Sequence, residues 1–177
     1  RSDRVEQTWT IDLPPSAEVQ ISIAQGQWAV LEVASRLLHR EAGVIDLSEV
    51  ISAGDAPVLA DASDNAESLL IAHRNGLLSV DLATGSISEL VVGRQGAPAA
   101  PVDVAGCSYA AWSDGLAWRR CGETVTELAL DRVPAVADLG FVLRDDRVVL
   151  NDRAAGASWS VQADGRLIDN WDDLIRD

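Results

Sequence analysis

The segment that most constrains this chain is Cys107 to Cys121, CSYAAWSDGLAWRRC, which holds the only two cysteines among 177 residues. Two strand-like runs flank Ser113-Asp114-Gly115, a three-residue turn with glycine where a positive φ is wanted. With Asp114 at the apex, Trp112 faces Leu116, Ala110 faces Trp118 and Cys107 faces Cys121. Side chains directly opposite on one strand pair point the same way. A cross-strand disulfide between Cys107 and Cys121 is therefore expected within its distance limits; the alternative is two free cysteines on one sheet face. The spacing is not the two-residue spacing of a redox motif, so a structural role is expected.

The same strand–turn–strand grammar runs along the rest of the chain. Residues 18–23 (EVQISI) alternate, with Val19, Ile21 and Ile23 on one face, and Gln25-Gly26 turns the chain into 27–33. A third strand is expected to begin at Arg36; the rival reading is one helix over residues 28–40. A short strand is expected over Pro57 to Ala60. Residues 68–73, a turn at Asn75-Gly76, and 77–82 form the clearest hairpin, and Thr84-Gly85 returns the chain into 86–92. Residues 93–101 are a Gly/Ala/Pro connector. Beyond the cysteine hairpin come runs at 125–130, 133–138, 141–143, 147–151, 157–161 and 166–168. Residues 8–13 (TWTIDL) also alternate before Pro14-Pro15.

Three segments share one pattern: residues 28–38 (WAVLEVASRLL), 77–87 (LLSVDLATGSI) and 148–158 (VVLNDRAAGAS). In each an apolar strand ends in a carboxylate, at Glu32, Asp81 or Asp152, and a small-residue turn follows. With the cysteine hairpin as an intermediate copy, the units recur at roughly 40 residues, the period of propeller blades. A lone meander cannot cover both its faces, and stacking the units covers them. The expected fold is all-β: propeller-like repeats of short antiparallel meanders, about four blades or a fragment of a larger propeller. A β-sandwich with many hairpins is the rival. Residues 1–168 are assigned to this domain and 169–177 to an acidic C-terminal tail or linker.

Four stretches carry a family resemblance: residues 98–115 (APVDVAGCSYAAWSDG), 80–85 (VDLATG), 148–159 (VVLNDRAAGASW) and 169–173 (DNWDD). The chain resembles the propeller-like N-terminal region of large actinobacterial surface proteins that continue into repeated immunoglobulin-like or fibronectin type III domains. The resemblance implies an extracellular or cell-surface location and no established catalytic residue. The VDLATG turn is generic to propellers; the cysteine segment and the last two motifs are more specific.

Charge excludes some partners. The formal net charge is −14, and all 14 cationic residues are arginine. Such a surface repels phosphate backbones and anionic lipid, so no nucleic acid and no direct membrane insertion are expected. No apolar stretch is long enough to span a bilayer. Two cysteines set to pair point to an oxidising compartment.

No constellation of catalytic residues stands out. His39 and His73 are isolated from one another, and a zinc site needs three or four convergent ligands. There is no glycine-rich phosphate loop with a lysine and no serine elbow. Asp61, Ser63, Asn65 and Glu67 alternate like a calcium loop but lack its glycine and closing glutamate. Asp145-Asp146 and Asp172-Asp173 are adjacent acids, and strand neighbours point to opposite faces. No catalytic residue, cofactor or metal is assigned. Trp112 and Trp118 are candidate interaction aromatics, as a stacking platform, or else core between blades. The expected function is a non-enzymatic extracellular structural or protein-interaction module, with a protein or glycan partner at the cell surface. The alternative is a glycan-binding or polysaccharide-hydrolase-associated domain.

Overall fold

The computed structural model describes residues 10–63, 66–134 and 136–168, and among these there are strands and turns but no helix. The strands form four separate antiparallel sheets, each an up-and-down meander whose neighbours in the sheet are neighbours in sequence. Sheet 1 is β1 (Val19–Ala24), β2 (Gln27–Glu32), β3 (Leu37–Arg40) and β4 (Gly43–Asp46). Sheet 2 is β5 (Val58–Leu59), β6 (Leu69–His73), β7 (Gly76–Val80) and β8 (Ile87–Val92). Sheet 3 is β9 (Val102–Val104), β10 (Cys107–Trp112), β11 (Leu116–Cys121) and β12 (Thr124–Ala129). Sheet 4 is β13 (Leu139–Arg144), β14 (Arg147–Asp152) and β15 (Ser158–Trp159), extended by a single antiparallel bridge from Trp159 to Leu167.

The sheets pack in series through three apolar cores. Ala29, Leu31 and Leu38 of sheet 1 meet Leu69, Ile71, Leu78 and Val80 of sheet 2. The opposite face of sheet 2, with Leu70, Ala72 and Leu77, meets Ala110, Trp112 and Trp118 of sheet 3. The other face of sheet 3, with Tyr109, Ala111 and Ala117, meets Leu139, Leu150 and Trp159 of sheet 4. The two middle sheets are thus covered on both faces. This explains why β6 (LLIAH) is buried at every position instead of alternating. Backbone bonds stitch neighbouring sheets together: Ser63 N–H donates to the Ile23 carbonyl and Asp61 N–H to the Pro101 carbonyl, both at 2.9 Å.

The cysteine hairpin has the expected register, with Cys107 opposite Cys121, Ala110 opposite Trp118 and Trp112 opposite Leu116. The disulfide is formed, with a Cα–Cα distance of 4.2 Å. Residues 28–40 are strands and not a helix, because Ala29, Leu31 and Leu38 occupy one sheet face. Gln25-Gly26 and Ala105-Gly106 are two-residue hairpin turns with positive φ at both positions, the backbone that matches strand twist.

Four expectations need correction. The sheet 2 hairpin turns at Arg74-Asn75, one residue earlier than read, and Gly76 is the first residue of β7. That glycine does not supply a positive φ; a Cβ on it would run into the Val91 carbonyl oxygen of β8. Of the run at 133–138, the described residues form no strand; Ala137 N–H instead closes a turn onto the Pro134 carbonyl. The carboxylate turn is real but does not recur at one fixed place. Arg36, Gly85 and Gly156 each donate a backbone N–H to the carbonyl four residues earlier, of Glu32, Asp81 and Asp152, at 2.8–2.9 Å. Glu32 and Asp152 lie between the second and third strands of their sheets, whereas Asp81 lies between the third and fourth. Of residues 8–13, the described part, 10–13, is not strand. The acidic segment 169–177 and Asn65 of the calcium-like loop lie outside the described residues.

Candidate functional site

A pocket of about 320 Å³ lies between sheets 2 and 3, at the disulfide end of sheet 3. The loop before β6 supplies Glu67 and Ser68, the β9–β10 turn supplies Ala105 and Gly106, and β11 supplies Arg120. Asp103 of β9 is the most constrained group. The Ser108 hydroxyl donates to its Oδ1 from the neighbouring strand, where Ser108 and Asp103 are register partners. Burial raises the Asp103 carboxyl above the usual range, opposed in turn by the Ser108 bond and by Arg120, while Glu67 adds to the rise. Arg120 lies 5.9 Å above the Trp118 ring centroid, in cation–π range. Cys107 of the disulfide forms part of the wall.

Chemically, the pocket offers one cation, two acids and serine hydroxyls, a set suited to a small polar molecule. Asp103 Oδ1 is taken by the Ser108 hydroxyl, and Oδ2 is closed to solvent with no hydrogen-bond partner. Among the described residues no aromatic side chain lines the pocket, and these residues supply no stacking surface of the kind common in sugar sites.

Trp112 and Trp118, read as candidate interaction aromatics, are 0% and 2% exposed. Both belong to the core between sheets 2 and 3. The Trp112 indole Nε1–H donates to the His73 carbonyl at 2.9 Å, satisfying the polar edge of the ring inside the core. Neither indole offers a free face, because the second sheet packs directly onto that side of the cysteine hairpin.

Each histidine lies beside a carboxylate. His73 is 4% exposed, and burial holds its imidazole below the usual value against the opposing pull of Asp55 and Glu89. Its Nδ1 lies 3.9 Å from Asp55 Oδ2. Asp55 in turn accepts from the Asn75 side chain at 2.9 Å and the Ser52 backbone N–H at 3.1 Å, which fastens the β6–β7 turn. His39 Nε2 is 3.9 Å from Glu32. Among the described residues no group of three or more His, Cys, Asp or Glu is arranged to hold a metal. Asp145 and Asp146 are exposed at the tip of the β13–β14 hairpin.

The Asp103–Ser108–Arg120 cluster was missed in the sequence. Ser108 and Arg120 are register partners across β10 and β11, so the cysteine hairpin already implied that pair; Asp103 joins it only because β9 lies alongside. No helix among the described residues is long and apolar enough to cross a membrane. The sequence matches no protein-family model, and no curated protein matches it.

Proposed function

We propose that the chain is a non-enzymatic structural or protein-interaction module of an extracellular or cell-surface protein, built as consecutive propeller-like blades. The observation that carries this reading is the serial packing of four meanders, with both middle sheets buried on both faces. Radially repeated meanders pack in this way. The Cys107–Cys121 disulfide supports an oxidising compartment. With the quoted sequence motifs, these features favour the propeller-like N-terminal region of large actinobacterial surface proteins carrying immunoglobulin-like or fibronectin type III repeats. The partner is then a protein or glycan at the cell surface. The glycan-binding or polysaccharide-hydrolase-associated alternative draws its support from the polar pocket around Asp103, Glu67 and Arg120.

Protease shaving of intact cells of an actinobacterium that makes the protein tests the location. Peptides of this chain should be released without lysis; recovery only from lysed cells would refute it. The purified chain, incubated with a panel of cell-wall and plant polysaccharides, should liberate no reducing ends. Liberation of reducing ends that Asp103→Asn abolishes would overturn the non-enzymatic reading. Saturable glycan binding lost in Arg120→Ala would move the assignment to the alternative.

A further inference from the structure

We propose that the pocket between sheets 2 and 3 binds a small zwitterion, a molecule that carries an ammonium and a carboxylate on one carbon as a free amino acid does. The inference goes beyond the functional reading and rests on this pocket alone, so neither the cell-shaving result nor the reducing-end result bears on it.

The pocket walls come from the two middle sheets and do not depend on what lies beyond sheet 1 or sheet 4. Each wall presents one charge. Glu67 stands on the loop before β6, and Arg120 on β11. Both are held by contacts that leave their polar atoms open. The Gln25 side-chain amide donates to the Glu67 backbone carbonyl at 2.6 Å. The Arg120 guanidinium lies over the Trp118 ring, and the next residue, Cys121, is tied to Cys107. Neither the Glu67 carboxylate nor the Arg120 guanidinium forms an ion pair or a hydrogen bond with another described residue. Asp103 feels both charges: Arg120 draws its carboxyl down and Glu67 pushes it up. The two opposite charges therefore flank one cavity. Asp103 itself does not compete for a cation, since Oδ1 is taken by Ser108 and Oδ2 is closed to solvent.

Charge selects the ligand. A planar guanidinium takes a carboxylate through two parallel hydrogen bonds, and Glu67 accepts from an ammonium. A simple anion would satisfy Arg120 but face Glu67, in a protein whose net charge of −14 already repels anions. A simple cation would satisfy Glu67 but face Arg120. A neutral sugar would meet both charges with hydroxyls alone, and the described lining residues add no aromatic surface for it. A zwitterion satisfies both walls and carries no net charge for the protein's field to repel. The volume of about 320 Å³ is at the small end of ligand pockets, which run about 300–1,000 Å³. A molecule of amino-acid size fits, and an oligomer would extend beyond it.

A nuclear magnetic resonance titration of the isotope-labelled chain with alanine, at about 0.15 M salt, tests this. The amide signals of Gly106, Arg120 and Gly122 should move and saturate, with a Kd of about 1 mM or tighter. Propionate lacks the ammonium and ethylamine the carboxylate; each should bind at least about fivefold more weakly. Glu67→Gln should weaken alanine about fivefold and leave propionate unchanged. Arg120→Gln should weaken alanine and propionate about tenfold and leave ethylamine unchanged. A merely structural loss would weaken all three probes together. Circular dichroism and melting serve as fold controls, and Arg120→Lys, which keeps the charge but not the fork, replaces Arg120→Gln if the latter does not fold. Absence of saturable shifts with alanine up to about 50 mM would overturn the proposal. So would propionate or ethylamine binding as tightly as alanine, or an alanine affinity unchanged by Glu67→Gln.

Discussion

Removing the disulfide by the double substitution Cys107→Ala, Cys121→Ala should cost stability without changing the fold. The bond spans a sequence separation of 14, and closing a loop of about 15 residues constrains the unfolded chain by about 3 kcal/mol. In the folded state the hairpin does not need the bond to hold its register. Cys107 is also paired with Val104 of β9 and Cys121 with Thr124 of β12, so ladders flank the hairpin on both sides. The loss should therefore come mainly from the unfolded side. For a chain of this size about 3 kcal/mol corresponds to a melting temperature lowered by roughly 6–12 °C. It also corresponds to a urea midpoint lowered by about 1.5 M for an m-value near 2 kcal/mol/M. Far-ultraviolet circular dichroism should be unchanged. Hydrogen exchange should accelerate first at β10 and β11, since stacked repeats open locally. A loss under about 1 kcal/mol with the fold intact would refute the loop-entropy reasoning. It would mean that the reduced, unfolded chain already holds this hairpin. A loss of the fold at neutral pH would refute the claim that the ladders alone set the register.

Gly76→Ala should destabilise by about 1–3 kcal/mol in urea titration, because the added methyl collides with the Val91 backbone carbonyl; a change within 0.5 kcal/mol would show that β8 can move away. His73 gives a pH dependence. Its folded value lies below its ordinary one, so the unfolded chain takes up the proton first, and stability should fall as pH falls from about 6.5. His73→Gln should flatten that part of a urea-midpoint profile, and an unchanged slope would exclude His73 as its source. Asp103 acts in the opposite sense. Its folded value is raised, so the folded chain holds a proton that the unfolded chain releases above about 3.9. Its contribution is present at low pH and lost as pH rises through that window. Asp103→Asn, neutral throughout and still able to accept from Ser108, should remove this slope; a drop in neutral-pH stability would instead show that the carboxylate charge is stabilising.

Local patterns in the sequence determined the strands, the cysteine register and the all-β class. Turn chemistry acts over a few residues: Gln25-Gly26 and Ser113-Asp114-Gly115 each allow few ways of pairing the runs beside them. Once Asp114 is at the apex, the two-residue alternation of a strand places Cys107 against Cys121 without reference to the rest of the chain. The Gly76 error has the same origin. Asn-Gly is a strong local turn signal, but the constraint on Gly76 comes from Val91, fifteen positions away in sequence and adjacent only once β8 pairs with β7.

Tertiary structure decided which faces are covered, and hence which residues are available for chemistry. Trp112 and Trp118 share a face in the sequence; whether that face meets solvent or another sheet depends on sheet 2, whose Leu70, Ala72 and Leu77 pack against it. Ile21, which reads like any core strand residue, is 71% exposed because it lies on the side of sheet 1 opposite the core shared with sheet 2. Asp103 and Glu67 come to one pocket only through the contact of sheets 2 and 3. Side-chain alternation assigns each residue to a side of its own strand. What lies across that side is set by packing among sheets distant in sequence, through apolar burial that carries no local signature.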